Sequence, residues 1–147
     1  MEFISVFDVF KIGVGPSSSH TLGPWKAAAG FMRQIKHKNL HLHVTHLTVS
    51  LYGSLSLTGK GHATDHAVMM GLAGFDPETV DTKAIPDIIS DITSARRLTI
   101  DGIDIPFYPD FDIHFEKDFL PFHANGMIFR IEGNNKEVCS ETYYSVG

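Results

Sequence analysis

The sequence predicts a fold that contains both α-helices and β-strands, and three observations carry that prediction. Residues 22–36 place apolar side chains at helical spacing, directly after a segment rich in glycine, serine and proline. Residues 41–52 alternate and are rich in β-branched side chains, which is typical of a strand. Residues 127–146 contain two strand-like runs around Gly133–Lys136, which indicates a hairpin.

Length and composition restrict the kind of protein. The 147 residues suffice for one domain with a hydrophobic core, and 43% apolar with 20% charged residues is typical of a soluble globular chain. No apolar run approaches the roughly 20 residues that span a membrane, and the first residues lack the basic and then apolar pattern of a signal peptide, so none is expected. The single cysteine, Cys139, excludes an internal disulfide framework and predicts a cytoplasmic protein. A net charge of −5 with dispersed lysines and arginines argues against nucleic-acid binding.

The N-terminal part predicts two helices. Residues 5–10 indicate a short helix with Ser5 as N-cap and two phenylalanines on one face. The helix at 22–36 follows, and its apolar side chains fall on one stripe that we expect to face the core: Trp25, Ala28, Ala29, Met32 and Ile35.

Between these helices lies the segment Gly13–Pro24, in which four hydroxyls and an imidazole occupy consecutive positions: Ser17, Ser18, Ser19, His20 and Thr21. Either Ser19 or Thr21 is a suitable N-cap for the following helix, and Pro24 is tolerated in its first turn. Backbone N–H groups and the positive end of a helix dipole at that point favour a carboxylate or phosphate. A loop that only caps the helix is the alternative, but the flanking Gly-Pro pairs and the histidine favour a ligand site.

The strand predicted at 41–52 contains three histidines. Because side chains alternate along a strand, His41 and His43 are expected on one face and His46 on the other. A structural zinc ion needs four converging ligands, so we predict no zinc site here.

A second informative stretch runs from Leu51 to Gly71. A strand is expected to end in a loop whose glycines bracket Lys60, and a helix is expected from about His62 to Leu72. In that helix His62, Asp65 and His66 would share a face, which leaves three interpretations: a metal site, a general base at His62 oriented by Asp65 or His66, or an exposed polar helix start. The glycines around Lys60 do not form a nucleotide loop, because the upstream glycine and the following hydroxyl residue are absent.

The C-terminal half predicts a turn at 76–79, a helix at 86–95 and strands for most of the rest. The strands are expected at 98–100, 103–108, 111–116, 127–132 and 137–146, with Phe111, Ile113 and Phe115 forming the apolar face of the third. His123–Gly126 is interpreted as a turn, with a ligand role for His123 and Asn125 as the less favoured alternative. Because natural chains rarely stop directly after a strand, the end at Gly147 indicates a piece of a longer polypeptide.

Four blocks of residues, in this order along the chain, carry a resemblance to a known family: Ser5–Asp8 with Gly15–Pro24, Leu51–Leu55 with Thr58–His62 and Thr64–Asp65, His123 with Asn125–Met127, and Ser140–Gly147. They closely resemble the blocks of the iron–sulfur-dependent L-serine dehydratases. The resemblance implies that residues 1–147 form a single β domain of such an enzyme. It also implies an α+β fold, with a mixed sheet flanked by helices, similar to a regulatory domain of some D-3-phosphoglycerate dehydrogenases.

The family resemblance further implies a second, larger α domain that carries a 4Fe-4S cluster, since this chain has one cysteine and no metal site of its own is expected. The implied reaction removes water from L-serine and ends in pyruvate and ammonia, with the cluster as Lewis acid on the leaving hydroxyl. The expected partners are L-serine, the α domain and a second copy of the chain in a homodimer, with no nucleic acid and no membrane.

The resemblance, combined with the chemistry of the residues, assigns roles. His62 is the expected general base, oriented by Asp65 or His66, because something must take the α-proton. Ser17, Ser18, Ser19, His20 and Thr21 are expected to hold the substrate carboxylate, with Lys60 adding charge. Two alternatives stay open: the same pocket is purely regulatory and binds serine or another small anion, or the chain mainly dimerises. In each case the isolated chain is expected to have no dehydratase activity.

Overall fold

The structure is a computed structural model, and it describes residues 19–57, 63–134 and 136–145. The predicted helix at 5–10 lies outside the described residues, as do four predicted site residues: Ser17, Ser18, Lys60 and His62.

The described chain contains five α-helices and six β-strands. The helices are α1 (Leu22–His37), α2 (Ser54–Leu57), α3 (Thr64–Leu72), α4 (Ile85–Ala95) and α5 (Pro109–Asp112). The strands are β1 (His46–Leu51), β2 (Arg97–Ile100), β3 (Ile103–Pro106), β4 (Ile113–Phe115), β5 (Gly126–Gly133) and β6 (Lys136–Tyr144). Short 3-10 turns occupy Leu40–His43 and Thr82–Ala84. Within this part of the chain no helix is long and apolar enough to cross a membrane.

Four strands form a mixed sheet in the order β4-β1-β5-β6, and β2 pairs with β3 in a separate antiparallel hairpin. Strand β1 is parallel to β4 and antiparallel to β5, so that Val49 lies opposite both Ile113 and Phe129. Strands β5 and β6 form the predicted C-terminal hairpin. The predicted α+β class with a mixed sheet and flanking helices is confirmed, whereas the similarity to the dehydrogenase regulatory domain and the single-domain assignment of residues 1–147 stay predictions.

Helix α1 connects the sheet to helix α3. The predicted stripe is confirmed for Trp25, Ala28, Met32 and Ile35, which are buried, while Ala29 is only half-buried. Phe31 is also buried, and its ring stacks on Phe129 of the central strand β5 at 5.2 Å between centroids. On the other side, the backbone of Gly71 in α3 lies against the Trp25 carbonyl. The start of α1 is thereby fixed between a sheet and a helix.

The prediction of a strand from residue 41 was wrong for its first part. Asn39 adopts the left-handed conformation at φ 57°, and the chain then makes a 3-10 turn before β1 begins at His46. His41 and His43 therefore do not share a strand face. His41 is buried, with its Nε2 atom 3.5 Å from a carboxylate oxygen of Asp101, because the turn directs it toward the β2–β3 hairpin.

The prediction of a strand at 111–116 was also wrong at its start. Residues 109–112 form α5, since the Asp112 carboxylate accepts from the Tyr108 N–H at 2.7 Å and the amides of Phe111 and Asp112 donate to the Tyr108 carbonyl. Phe111 is consequently 75% exposed rather than part of an apolar strand face. A similar short helix, α2, replaces the loop expected directly after β1.

His46 links three elements at the beginning of β1. Its Nε2 atom lies 2.8 Å from the buried Asp112 carboxylate, and its Nδ1 atom lies 3.5 Å from Glu132 on β5. The hydrogen bond to Asp112 is the main cause that raises the pKa of His46 above 6.5, with smaller contributions from both carboxylates. The protonated imidazole therefore stabilises the folded state.

We expect the free energy of unfolding to fall as pH rises from 6 to 9. Because the pKa of His46 is raised on folding, its contribution is complete below about 6.5 and is lost as pH passes the folded-state pKa. Solvent around this half-exposed side chain keeps the effect below about 1 kcal/mol. Urea unfolding at a series of pH values should show this component in the wild type and His43→Gln, and lose it in His46→Gln. An unchanged pH profile in His46→Gln would contradict the assignment.

Candidate active site

Chain segments from both ends of the described sequence meet around the first turn of α1. His20 is the centre of this arrangement, because each of its ring nitrogens contacts a serine hydroxyl. Its Nδ1 atom lies 3.0 Å from Ser19 Oγ, and its Nε2 atom lies 2.8 Å from Ser54 Oγ at the start of α2. A neutral imidazole donates from one nitrogen and accepts at the other, so one serine receives a hydrogen bond and the other donates one.

The start of helix α3 is joined to the same histidine. Thr64 is fully buried, and its hydroxyl donates to the backbone carbonyl of His20 at 2.7 Å. This bond connects two predicted site segments that lie 44 residues apart in the sequence. The segment that ends at His20 and the segment that begins at Ala63 are therefore neighbours in space.

Thr21 occupies the N-cap position of α1, as predicted, but its side chain makes no capping hydrogen bond. Its carbonyl accepts the first helical hydrogen bond, from Trp25 N–H at 3.0 Å, and its side chain is fully buried. Thr21 is therefore a buried anchor at the beginning of α1. The interpretation of the hydroxyl as a helix cap was wrong.

Helix α3 begins two residues later than predicted. Ala63 has φ 82° in the left-handed region, so the helix starts at Thr64. The regular helical spacing assumed between His62 and the pair Asp65 and His66 is interrupted at Ala63, which has a left-handed conformation. Asp65 lies in the first turn, and its Oδ1 atom accepts from the His66 N–H at 2.9 Å.

Sequence analysis did not identify the pair formed by Asn125 and Ser145. The Asn125 side-chain amide donates to the Ser145 carbonyl at 3.1 Å, and the Ser145 N–H donates to the Asn125 carbonyl at 3.0 Å. Ser145 also lies against Gly23 in the first turn of α1, where any side chain would overlap its hydroxyl. The sequence favours a turn role for Asn125 over a ligand role, and neither interpretation reveals the partner 20 positions later.

Two buried polar atoms in this pair have no hydrogen-bond partner among the described residues. Asn125 is 8% exposed and Ser145 is 5% exposed, and neither Asn125 Oδ1 nor Ser145 Oγ is satisfied within the described chain. Leaving a buried polar atom without a partner costs roughly 1–3 kcal/mol, so such atoms are often completed by a ligand or water. The first turn of α1 therefore has an unsatisfied donor–acceptor group beside it.

Backbone hydrogen bonds join the loop before β5 to the residues that follow β1. Ser54 N–H donates to the Ala124 carbonyl at 2.9 Å, and Tyr52 N–H donates to the Gly126 carbonyl at 2.9 Å. Gly53 lies between them with φ 56°, and its α-carbon approaches the Ala124 carbonyl too closely for a side chain. Glycine is required there, because both the left-handed conformation and the contact exclude a Cβ atom.

A model of the family described as "Serine dehydratase beta chain" matches residues 5–147. The chain belongs to the serine dehydratase beta-chain family. This finding confirms the family resemblance on nearly the whole length. The four sequence blocks of the resemblance also supply the residues that meet in the structure: Ser19 and His20, Ser54, Thr64, Asn125 and Ser145.

The chain is similar to several curated proteins that are much longer. It is 49% identical to L-serine dehydratase 2 of Escherichia coli, 46% to an L-serine dehydratase of Streptomyces coelicolor and 38% to that of Helicobacter pylori. These alignments cover 98–100% of the chain. The chain spans about a third of the length of these relatives, 32% in each case.

A 4Fe-4S cluster does not fit the residues of this beta chain. Within the residues that the structure describes, no group of three or more histidine, cysteine or acidic side chains is arranged to hold a metal ion. The one cysteine, Cys139, lies half-buried on β6, where burial raises the pKa of its thiol. A cluster held by the usual cysteine thiolates requires several of them, which this sequence does not contain.

Proposed function

We propose that this chain is the β domain of an L-serine dehydratase and forms one wall of an active site that converts L-serine to pyruvate and ammonia. The observation that supports this most directly is the junction at His20, where Ser19, Ser54 and Thr64 contact one residue. Three segments that carry the sequence resemblance contribute to it, and a merely structural loop would not need an imidazole with both nitrogens engaged.

The carboxylate of L-serine would bind at the start of α1. The serine-rich segment contributes hydroxyls from Ser17, Ser18 and Ser19, and the first turn of a 16-residue helix contributes backbone N–H groups and a positive dipole end. The side chain of Thr21 does not cap that turn. His20 orders the segment, and Lys60 adds positive charge to the same binding site.

The proton on the substrate α-carbon would be taken by His62. A neutral imidazole has a suitable basicity near pH 7, and its neighbour Ala63 directly precedes the residue that bonds to His20. Asp65 is the orienting carboxylate in this proposal. Loss of the α-proton and the β-hydroxyl gives aminoacrylate and water, and the aminoacrylate tautomerises to an imine that hydrolyses to pyruvate and ammonia.

The remainder of the enzyme would be a second, larger domain that holds the 4Fe-4S cluster. The relatives are about three times as long as this chain, which leaves room for that domain. We propose that the β domain pairs as a homodimer in the cytoplasm and that the isolated chain forms no pyruvate, because the cluster ligands lie elsewhere.

A regulatory serine-binding site is the second candidate function. The unsatisfied Asn125 Oδ1 and Ser145 Oγ atoms favour it, since a small amino acid could complete both with its ammonium and carboxylate groups. In that case all the chemistry would lie in the second domain. The two candidates differ in which kinetic parameter responds to a change in the loop.

The experiment is steady-state kinetics of the full-length enzyme with Ser18→Ala, and with Ser56→Ala in α2 as the control. If the loop binds the reacting substrate, Ser18→Ala should raise KM for L-serine by about 10- to 150-fold, as expected for loss of a hydrogen bond to a charged group. The Hill coefficient should not change. Altered cooperativity with normal turnover would favour the regulatory site. Unchanged kinetics, together with a stable dimer in sedimentation, would contradict both.

A further inference from the structure

The serine at the start of α2 was not among the predicted site residues, yet it contacts the site directly. Ser54 Oγ lies 2.8 Å from His20 Nε2, and the opposite ring nitrogen lies 3.0 Å from Ser19 Oγ. The three side chains thus form a hydrogen-bonded chain from Ser54, just after β1, to Ser19 in the serine-rich segment.

The position of Ser54 is fixed independently of the histidine. Its backbone N–H donates to the Ala124 carbonyl at 2.9 Å, and the preceding Gly53 is held at φ 56° against the same carbonyl. The carbonyl of His20 is in turn held by the buried Thr64 hydroxyl at 2.7 Å. The backbone at both ends of the Ser54–His20 contact is therefore held in place by hydrogen bonds.

We infer that Ser54 is a positioning residue for substrate binding, and that it selects the imidazole tautomer of His20. The inference rests on the proposed function, in which the serine-rich segment takes a carboxylate. A carboxylate accepts hydrogen bonds only, so Ser19 must donate to it. Ser19 then accepts from His20 Nδ1–H, which leaves Nε2 to accept from the Ser54 hydroxyl. Bound L-serine should therefore select the Nδ1–H tautomer.

Hydrogen bonds in the opposite direction at His20 would favour a different group of the ligand. If Nε2–H donates to Ser54 Oγ, then Ser19 donates to Nδ1 and offers its lone pairs instead of its hydrogen. That arrangement suits a ligand ammonium group rather than a carboxylate. The tautomer of His20 thus reports which end of the amino acid faces the serine-rich segment.

The first test is 15N NMR of the histidine rings in the chain, with the His20 signals assigned by their absence in His20→Gln. Saturating L-serine is expected to move His20 to the Nδ1–H tautomer in the wild type and in Ser56→Ala. Ser54→Ala should change the tautomer balance of His20 even without ligand, since Nε2 loses its contact with the Ser54 hydroxyl. An unchanged His20 spectrum in Ser54→Ala would overturn the positioning role, and an Nε2–H tautomer with L-serine bound would overturn the carboxylate orientation.

The second test is the kinetics of the full-length enzyme. Ser54→Ala is expected to raise KM for L-serine by about 2- to 10-fold, as for loss of one neutral hydrogen bond, while kcat changes by less than twofold. Ser54→Thr keeps a hydroxyl and should restore KM to within twofold of the wild type. Ser56 is the matched control, because it lies in the same short helix, is equally half-buried and has no side-chain hydrogen bond within the described chain.

The experiments distinguish failure of the proposed carboxylate site from failure of the positioning role of Ser54. If L-serine perturbs no histidine of the chain and the Ser18→Ala enzyme keeps its KM, the proposed carboxylate site is wrong, and with it the ligand-selected tautomer. If Ser18→Ala raises KM but Ser54→Ala and Ser56→Ala are both indistinguishable from the wild type, the carboxylate site stands and the role of Ser54 is overturned.

Discussion

Replacing His62 with alanine in the full-length enzyme is expected to lower kcat by roughly 100- to 10,000-fold, the usual contribution of a positioned general base. The α-proton of L-serine is weakly acidic, and a methyl side chain leaves no group to accept it. KM for L-serine should change little, because other residues bind the carboxylate in the proposed site. Turnover is measured as pyruvate formation under anaerobic conditions that preserve the cluster.

Two controls separate the loss of a base from damage to the enzyme. The visible absorption of the cluster and the binding of L-serine should be the same in His62→Ala as in the wild type. His43→Ala, at an exposed position in the 3-10 turn of Leu40–His43, should keep turnover within a few-fold. Near-normal kcat in His62→Ala would place the base in the second domain.

Gly71→Ala is expected to destabilise the chain by about 3 kcal/mol, at the upper end of what overpacking a core contact costs. A Cβ atom at this position would overlap the Trp25 carbonyl and lie 2.7 Å from the Cβ of Ala28. Both neighbours belong to α1, so the two helices would have to separate. The helix propensity that alanine gains over glycine, about 1 kcal/mol, does not offset this.

Gly30→Ala is the matched control, because it is also a helical glycine but has open space around it. A Cβ atom at Gly30 meets only the flexible guanidinium of Arg33, at 3.5 Å. We expect this variant to be more stable than the wild type by up to about 1 kcal/mol. Urea unfolding of both variants measures the difference. Equal stability of the two would show that α1 and α3 are not locked together at Gly71.

The elements that the sequence predicted well are those in which local pattern and tertiary packing agree. Helix α1 begins at the predicted Leu22, and the hairpin of β5 and β6 has its turn near Asn134 as expected. In each case the buried face follows the repeat of the element itself. Such elements require no information from distant parts of the chain.

The elements that were missed depend on backbone conformations and side-chain hydrogen bonds that the hydrophobic pattern does not show. Alternation from His41 onward could not reveal the left-handed Asn39 that inserts a turn. Likewise the pattern around Phe111 did not show that the Asp112 carboxylate would bond the Tyr108 amide and close a helical turn. Side-chain hydrogen bonds of this kind override strand propensity without changing the hydrophobic pattern.

The residues of the candidate site were likewise predicted from the sequence only in part. The sequence identified the serine-rich segment and the Thr64–Asp65 block, which are joined at His20. It did not identify Ser54, Asn125 or Ser145, because a lone serine or an Asn-Gly pair is common in ordinary turns. Their role is visible only once β1, β5 and β6 place them at the same end of the sheet.

The junction at His20 has a consequence for how the binding site assembles. Its contacts join residues 34 and 44 positions apart, and the neighbouring Asn125–Ser145 pair is brought to Gly23 across more than 100 residues of chain. No short fragment can therefore contain the proposed binding site. On a ribosome that site would stay incomplete until β6 emerged, so a shorter nascent chain would lack part of it.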